Sequence, residues 1–93
     1  MNPKELQNNS ELFEYLAQLA KYLKNGGHPE LAKAVNQAMQ FASGSSSEFM
    51  HEAYLTLERV WTEQPKGLST NQLQDVMAVL TQIKNAFRRI GGA

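Results

Sequence analysis

Glycine and proline divide this 93-residue chain into four stretches, and each stretch repeats apolar residues at helical spacing. The breaks are Asn25-Gly26-Gly27, Gly44 and the segment from Pro65 to Gly67. Glycine closes helices because it accepts the left-handed conformation, and proline suits the first helical turn. The sequence therefore predicts an all-α chain with helices over residues 3–24, 29–43, 46–64 and 70–90.

The start of the first helix has two interpretations. Asn2, Pro3 and Glu5 have the order of a cap, a first-turn proline and a capping-box acid, which favours a start at residue 3. Residues 7–10 are poor helix formers, and Ser10 could cap a second start near Glu11. The first helix is therefore either continuous from residue 3 or broken near residues 7–10.

Serine caps define the starts of the third and fourth helices. Ser45 with Glu48, and Ser69 with Gln72, have the spacing of a capping box. The connections are about three to six residues long, which makes neighbouring helices antiparallel. We expect residues 1–93 to form a single helical domain, a small bundle of four antiparallel amphipathic helices. An orthogonal array of the same helices is the alternative.

Helical spacing also predicts the core, because the apolar stripe of each helix must be buried against the other helices. Lys84 falls near the centre of the fourth stripe, where its stem can lie along apolar surface while its ammonium group reaches water. A buried catalytic lysine is the less favoured alternative. In chain order the stripes are Leu12, Leu16, Leu19, Ala20 and Leu23; Leu31, Val35, Ala38, Met39 and Ala42; Met50, Ala53, Tyr54, Leu57, Val60 and Trp61; and Leu73, Val76, Met77, Leu80, Ile83, Phe87 and Ile90.

Charge balance and residue types argue against several classes of protein. Nine Lys and Arg residues balance nine Asp and Glu residues, so the formal net charge is zero. Neutrality counts against nucleic-acid binding, since phosphate contacts supply most of that affinity. The chain has no cysteine, which excludes disulfides and thiolate chemistry. No apolar run approaches the roughly 18 residues that span a bilayer, so we expect no membrane segment and a cytoplasmic protein.

No residue pattern indicates a catalytic, cofactor or metal site. His28 and His51 are the two histidines, and Glu48 precedes His51 at the Glu-x-x-His spacing of di-metal bundles. That spacing occurs once, and the pair points away from the apolar stripe, whereas such sites project inward. The glycines fit no phosphate-binding loop, and no nucleophile motif is present. We therefore expect a protein that is not an enzyme and has no metal and no cofactor.

Four apolar or amphipathic residues lie off the centres of the stripes and are candidate protein contacts. Tyr15 and Tyr22 share one shoulder of the first helix, and Phe41 takes a shoulder of the second. Leu55 points almost opposite to the stripe of the third helix. Tyrosine suits a boundary between core and water or between two proteins. The alternative is that the shoulders pack within the bundle and that Leu55 is an ordinary exposed leucine.

The segment from Ala42 to Ala53, ASGSSSEFMHEA, resembles the loop-into-helix segments of small uncharacterised bacterial all-helical proteins. A glycine that ends one helix and a serine that caps the next form this motif. The resemblance implies a bacterial cytosolic setting and no activity, and it carries over no functional residue.

Two functions compete at this point. The first is a non-enzymatic protein–protein interaction module, such as an adaptor, an inhibitor or an immunity-type partner, that binds another protein or itself. The second is a small nucleic-acid-binding regulator resembling a helix-turn-helix protein, whose second helix would contact the bases of DNA. That helix carries Lys33, Asn36, Gln37 and Gln40, which are suitable for base edges, but it has a single basic residue. Nucleic acid is therefore the less favoured partner.

Overall fold

Residues 8–89 form four α-helices, and a short 3₁₀ turn follows the second. The computed structural model describes residues 8–89. The helices are α1 (Asn9–Asn25), α2 (Pro29–Met39), α3 (Ser46–Glu63) and α4 (Thr70–Arg89), and the 3₁₀ turn is Gln40–Ser43. Residues 8–89 contain no strand, which confirms the all-α prediction. Residue 90, the predicted end of the fourth helix, lies outside the described range.

The first helix begins at Asn9, and Asn8 is its cap. The Asn8 side-chain oxygen accepts a hydrogen bond from the Glu11 backbone N–H at 2.9 Å. The break predicted near residues 7–10 is therefore found at Asn8, whose backbone is extended, but the capping residue is Asn8 and not Ser10. Asparagine caps as well as serine does, and Asn8 stands three residues before Glu11, which is the spacing that a cap requires. The alternative start at Pro3 lies outside the described residues.

The second α-helix is shorter than predicted. It ends at Met39, and the chain then tightens into the 3₁₀ turn before Gly44. The Gly44 N–H donates to the Phe41 carbonyl oxygen at 3.1 Å, a bond between residues three apart. Helix ends often tighten in this way because the narrower turn gives the last carbonyl groups a partner. Ala42, predicted in the apolar stripe, is exposed as a result.

Local capping sets the starts of the last two helices. Ser69 and Gln72 form a reciprocal capping box: the Ser69 hydroxyl accepts from the Gln72 N–H at 3.1 Å, and the Gln72 side-chain oxygen accepts from the Ser69 N–H at 2.8 Å. At α3 the Ser45 hydroxyl accepts from the Glu48 N–H at 3.5 Å. These interactions satisfy backbone donors that helix geometry leaves free, and they place both starts where the sequence predicts them.

Contacts between helix ends establish the up-down-up-down order. The Asn9 side chain at the start of α1 donates to the Ser46 hydroxyl at the start of α3, at 2.7 Å. At the same end of the bundle, the ring of His51 in α3 meets the ring of Phe87 in α4 edge to face, with centroids 6.3 Å apart. At the other end the α1–α2 and α3–α4 connections meet. Neighbouring helices are thus antiparallel, as the short connections predict.

The core lies between all four helices, and two of its central residues were not predicted. Phe49 and Val79 are fully buried, although neither belongs to a predicted stripe. Phe49 is next to the predicted Met50 in the sequence, and α3 buries a face wide enough to include both. A helix surrounded by neighbours buries more of its circumference than a narrow stripe. The largest fully buried side chains are Phe49, Leu16, Leu23, Leu57, Val35, Val60, Val76 and Val79.

The fourth helix is rotated relative to the predicted stripe. Its buried face is centred on Val76, Val79 and Ile83, which lie within about 60° of one another at 100° per residue. Met77 and Lys84 are exposed at the margin of that face. The placement of Lys84 near the stripe centre is therefore wrong, and its exposure removes the alternative of a buried catalytic lysine. Side-chain types alone did not distinguish the predicted rotation of α4 from the observed one, because apolar residues lie on the face that each rotation would bury.

Candidate interaction surface

The structure leaves three of the four predicted contact residues on the surface and buries the fourth. Tyr22 is 51% exposed, Leu55 46% and Phe41 37%. Tyr15 is only 8% exposed and belongs to the core cluster. The interpretation of Tyr15 as an exposed contact is corrected accordingly: its ring packs within the bundle, which is the alternative that the sequence left open. Burial of the ring still leaves its hydroxyl group to be explained.

The three exposed residues do not form one surface. Tyr22 lies near the end of α1, beside α4, whereas Phe41 lies in the 3₁₀ turn at the opposite end of the bundle. Leu55 is on the outer face of α3, opposite to its buried residues. The three residues therefore belong to three different elements of the bundle. Each residue must therefore be judged with its own neighbours.

Two further exposed apolar residues escaped the sequence reasoning. Phe13 is 40% exposed and lines a shallow cleft with Ala42, and Met77 is exposed on α4. Phe13 follows the buried Leu12 directly, so it lies about 100° around the helix from it. The sequence signal for its exposure was the position of an aromatic residue that far from the apolar stripe. Met77 gave no such signal because it looked like a member of the fourth stripe.

A cleft between α1 and α4 brings together polar side chains of both helices. Its volume is about 120 Å³. From α1, Tyr15, Leu19 and Tyr22 line it because residues four and seven apart share one face of a helix. The remaining lining residues are Gln18 of α1 and Gln72 and Asp75 of α4. The cleft therefore combines two tyrosines, two carboxamides and one carboxylate.

The hydroxyl of Tyr15 is the unusual atom of this cleft. It is buried and has no hydrogen-bond partner within the part of the chain that the structure describes. Burial raises the pKa of Tyr15 well above its usual value, and the nearby Asp75 carboxylate raises that pKa further. Both effects disfavour the phenolate, because a buried negative charge beside another negative charge is costly. The hydroxyl is therefore neutral at physiological pH and able both to donate and to accept.

Asp75 is the single charged residue that lines the cleft. Arg59 and Glu63 form an ion pair on α3, at 2.7 Å, which does not involve Asp75. The Gln72 oxygen already accepts the Ser69 N–H and so is held in place. The cleft thus presents a negative charge and hydrogen-bonding oxygens without a neighbouring cation among its lining residues.

Both histidines lie outside the α1–α4 cleft. His28 bonds through its ring nitrogen to the Lys66 carbonyl oxygen; Glu48 and His51 are exposed, and the His51 ring contacts Phe87. Residues 8–89 contain no group of three side chains placed to hold a metal ion. A cleft of about 320 Å³ beside His28 has the size of a small ligand site, but its Arg59 and Glu63 already bond each other.

The exposed position of Leu55 leads to a direct prediction. We expect Leu55→Lys to change the free energy of unfolding by less than about 0.5 kcal/mol, since the substitution removes few buried contacts. Thermal and urea unfolding would measure the change. Leu57→Lys is the matched variant, two residues further along α3 and fully buried, and it should unfold the protein or nearly so. A loss above about 1 kcal/mol in Leu55→Lys would place this residue in the core.

None of the helices formed by residues 8–89 combines the length and the apolar character that crossing a membrane requires. Comparison of the chain with protein-family models, with curated proteins and with solved structures finds no match.

Proposed function

We propose that this chain is a non-enzymatic protein–protein interaction module, an adaptor, an inhibitor or an immunity-type partner, that binds another protein or a second copy of itself. The observation that carries the proposal is the α1–α4 cleft, where the half-exposed ring of Tyr22 stands beside the Tyr15 hydroxyl, which has no partner among residues 8–89. Aromatic residues with a polar tip are enriched at protein interfaces because they combine apolar area with hydrogen bonding.

The size of the cleft favours a side chain of another protein over a free small molecule. Pockets for small molecules usually measure 300–1,000 Å³, by the general survey range. The α1–α4 cleft measures about 120 Å³, which is enough for the head group of one side chain. A zero formal net charge also adds little repulsion between the chain and a protein partner. A bacterial origin and a cytoplasmic location are compatible with this proposal and remain predictions.

A second candidate is a small nucleic-acid-binding regulator that uses α2. The observation in its favour is that Lys33, Asn36, Gln37 and Gln40 are all exposed. Against it, this face carries one cation, and α2 packs between α1 and α3 in an antiparallel bundle. Binding that depends on phosphate contacts would weaken steeply with salt. Salt dependence therefore distinguishes the two candidates.

An affinity pull-down from lysate of the source organism tests the proposal. The bait is the full chain, with Tyr22→Ala as the test variant and Leu55→Ala as the matched control for losing an exposed apolar side chain. We expect a protein to be retained at high salt by the unchanged bait and by Leu55→Ala, and to be lost with Tyr22→Ala. Because Tyr22 is half exposed, its removal should leave the fold intact, which circular dichroism would verify.

Two results would contradict the interaction module at this surface. Retained nucleic acid that high salt removes would support the regulator in its place. Retention of no protein, together with a monomeric mass by light scattering, would show that the chain binds neither a partner nor itself.

A further inference from the structure

We propose that the α1–α4 cleft receives an arginine side chain of the partner protein, with Tyr15 at its floor, Tyr22 at its rim and Asp75 in its wall. This inference rests on the proposed function, because it names the part of the partner that the interaction surface recognises. Four features of the cleft support it: an unsatisfied hydroxyl, an unpaired carboxylate, an exposed aromatic ring and a small volume.

The Tyr15 hydroxyl has no hydrogen-bond partner among residues 8–89. It is buried, whereas most buried polar groups in folded proteins are bonded. Because the hydroxyl is neutral, its oxygen can accept a hydrogen bond from a cationic N–H group. The five N–H groups of a guanidinium are donors only. One of them can donate to the Tyr15 hydroxyl oxygen, and the guanidinium brings no acceptor of its own that would stay unsatisfied.

Asp75 sets the sign of the ligand charge. It is the charged residue among the six that line the cleft, and it is partly buried. A carboxylate in partly dehydrated surroundings attracts a cation more strongly than one in bulk water. Carboxylates bind guanidinium groups through two parallel hydrogen bonds, a geometry that an ammonium group does not offer. Charge complementarity therefore indicates a cation, and the planar geometry of the acceptor favours arginine.

Tyr22 and Leu19 offer contacts to the flat face and to the aliphatic stem of an arginine side chain. The ring of Tyr22 is half exposed at the rim, where a guanidinium can stack on it. Leu19 lines the same cleft and offers apolar surface to the aliphatic stem. A lysine is a weaker fit because its ammonium group is compact, strongly hydrated and unable to stack flat against a ring. The cleft thus matches each part of one arginine.

The test uses the full chain labelled with ¹⁵N and, as the probe, N-acetyl-arginine N-methylamide. Two matched probes carry lysine, which keeps the charge, and citrulline, which keeps nearly the shape but is neutral. We expect saturable amide shifts confined to α1 and α4 around Tyr15, Tyr22 and Asp75, with a dissociation constant in the roughly millimolar range for one head group. The lysine probe should bind at least about threefold more weakly, and citrulline should give no saturable shift.

Three variants separate recognition from folding. Asp75→Asn should weaken arginine binding by roughly tenfold or more, while Glu14→Gln, the loss of an exposed carboxylate elsewhere on α1, should leave it unchanged. Tyr15→Phe removes only the unsatisfied hydroxyl, so its thermal midpoint should equal or exceed that of the unchanged protein. The same variant should weaken arginine binding several-fold, a combination that a purely structural role for Tyr15 would not produce.

The possible contradictions are distinct from those of the proposed function. Absence of saturable shifts at roughly 50 mM arginine probe, or equal binding of the citrulline probe, would overturn the arginine site. If the pull-down still retained a protein that Tyr22→Ala loses, the interaction module would stand and only this inference would fall. If the probe bound but the pull-down retained no protein and light scattering gave a monomeric mass, both the module and the assignment of the arginine to a partner protein would be overturned.

Discussion

Phe49→Ala is expected to lower the free energy of unfolding by about 3–5 kcal/mol, the usual cost of emptying a phenylalanine site in a closed core. Phe49 is 1% exposed and packs in the cluster shared by all four helices. Its removal loses both the burial of the ring and the contacts that surround it, since neighbouring side chains collapse only partly into the space. Domains of this size have total stabilities of roughly 5–15 kcal/mol, so the loss is a large fraction of the whole.

Urea denaturation of Phe49→Ala and of Phe13→Ala would measure this effect. Phe13→Ala is the matched control, because it deletes the same atoms from a ring that is 40% exposed. We expect the control to lose less than about half as much, since the exposed part of its ring gains little from folding. In thermal unfolding, Phe49→Ala should lower the midpoint by roughly 12 °C or more. Equal losses in the two variants would contradict the burial of Phe49.

Gly67→Ala is expected to lower the free energy of unfolding by about 1–3 kcal/mol. Gly67 has a φ of +102°, a conformation that residues with a Cβ atom rarely adopt. It also lies where two connections meet: a Cβ atom at this position would be 3.4 Å from the Cα atom of Gly26. The neighbouring Lys66 carbonyl accepts the hydrogen bond from His28, so a shift of the backbone at residue 67 would strain that bond as well.

Gly44→Ala is the control for the loss of stability expected in Gly67→Ala. Gly44 also follows a helical segment, but its φ is −105° and a Cβ atom there would make ordinary contact at 3.7 Å. We expect its change in the free energy of unfolding to stay within about 0.5 kcal/mol. Chemical denaturation of both variants on the same day would compare them directly. If Gly67→Ala were as stable as Gly44→Ala, the positive φ at residue 67 would not be a constraint on this loop.

The helix boundaries show what was predictable. The predicted spans 46–64 and 70–90 agree with the observed α3 and α4 to within one residue over the described range. This agreement follows from local chemistry: a serine cap bonds to a backbone group three residues away, and a proline or glycine stops a helix where it stands. The second helix was predicted to continue to residue 43 as an α-helix, because the choice between α and 3₁₀ hydrogen bonds in its last turn carries no clear signal in side-chain types.

The candidate surface was harder to predict than the fold. Tyr22, Phe41 and Leu55 are exposed, yet each lies on a different part of the bundle. Tyr15 was placed on the correct shoulder of its helix, but the shoulder is covered by α4 and its ring is buried. Nothing in the sequence singles out Asp75, since a lone carboxylate on a helix has no special spacing. It became interesting only when α4 placed it beside the unsatisfied hydroxyl of Tyr15.

By itself the sequence determined the number of helices in the described range, their approximate ends and their antiparallel order, because caps, breaks and short connections act within a few residues. Only the tertiary structure decided the rotation of α4, the burial of Phe49 and Val79 and the placement of Tyr15 and Asp75 in one cleft. Those features depend on which surfaces of different helices meet. An apolar residue is buried only where a neighbour covers it, and that neighbour is distant along the chain.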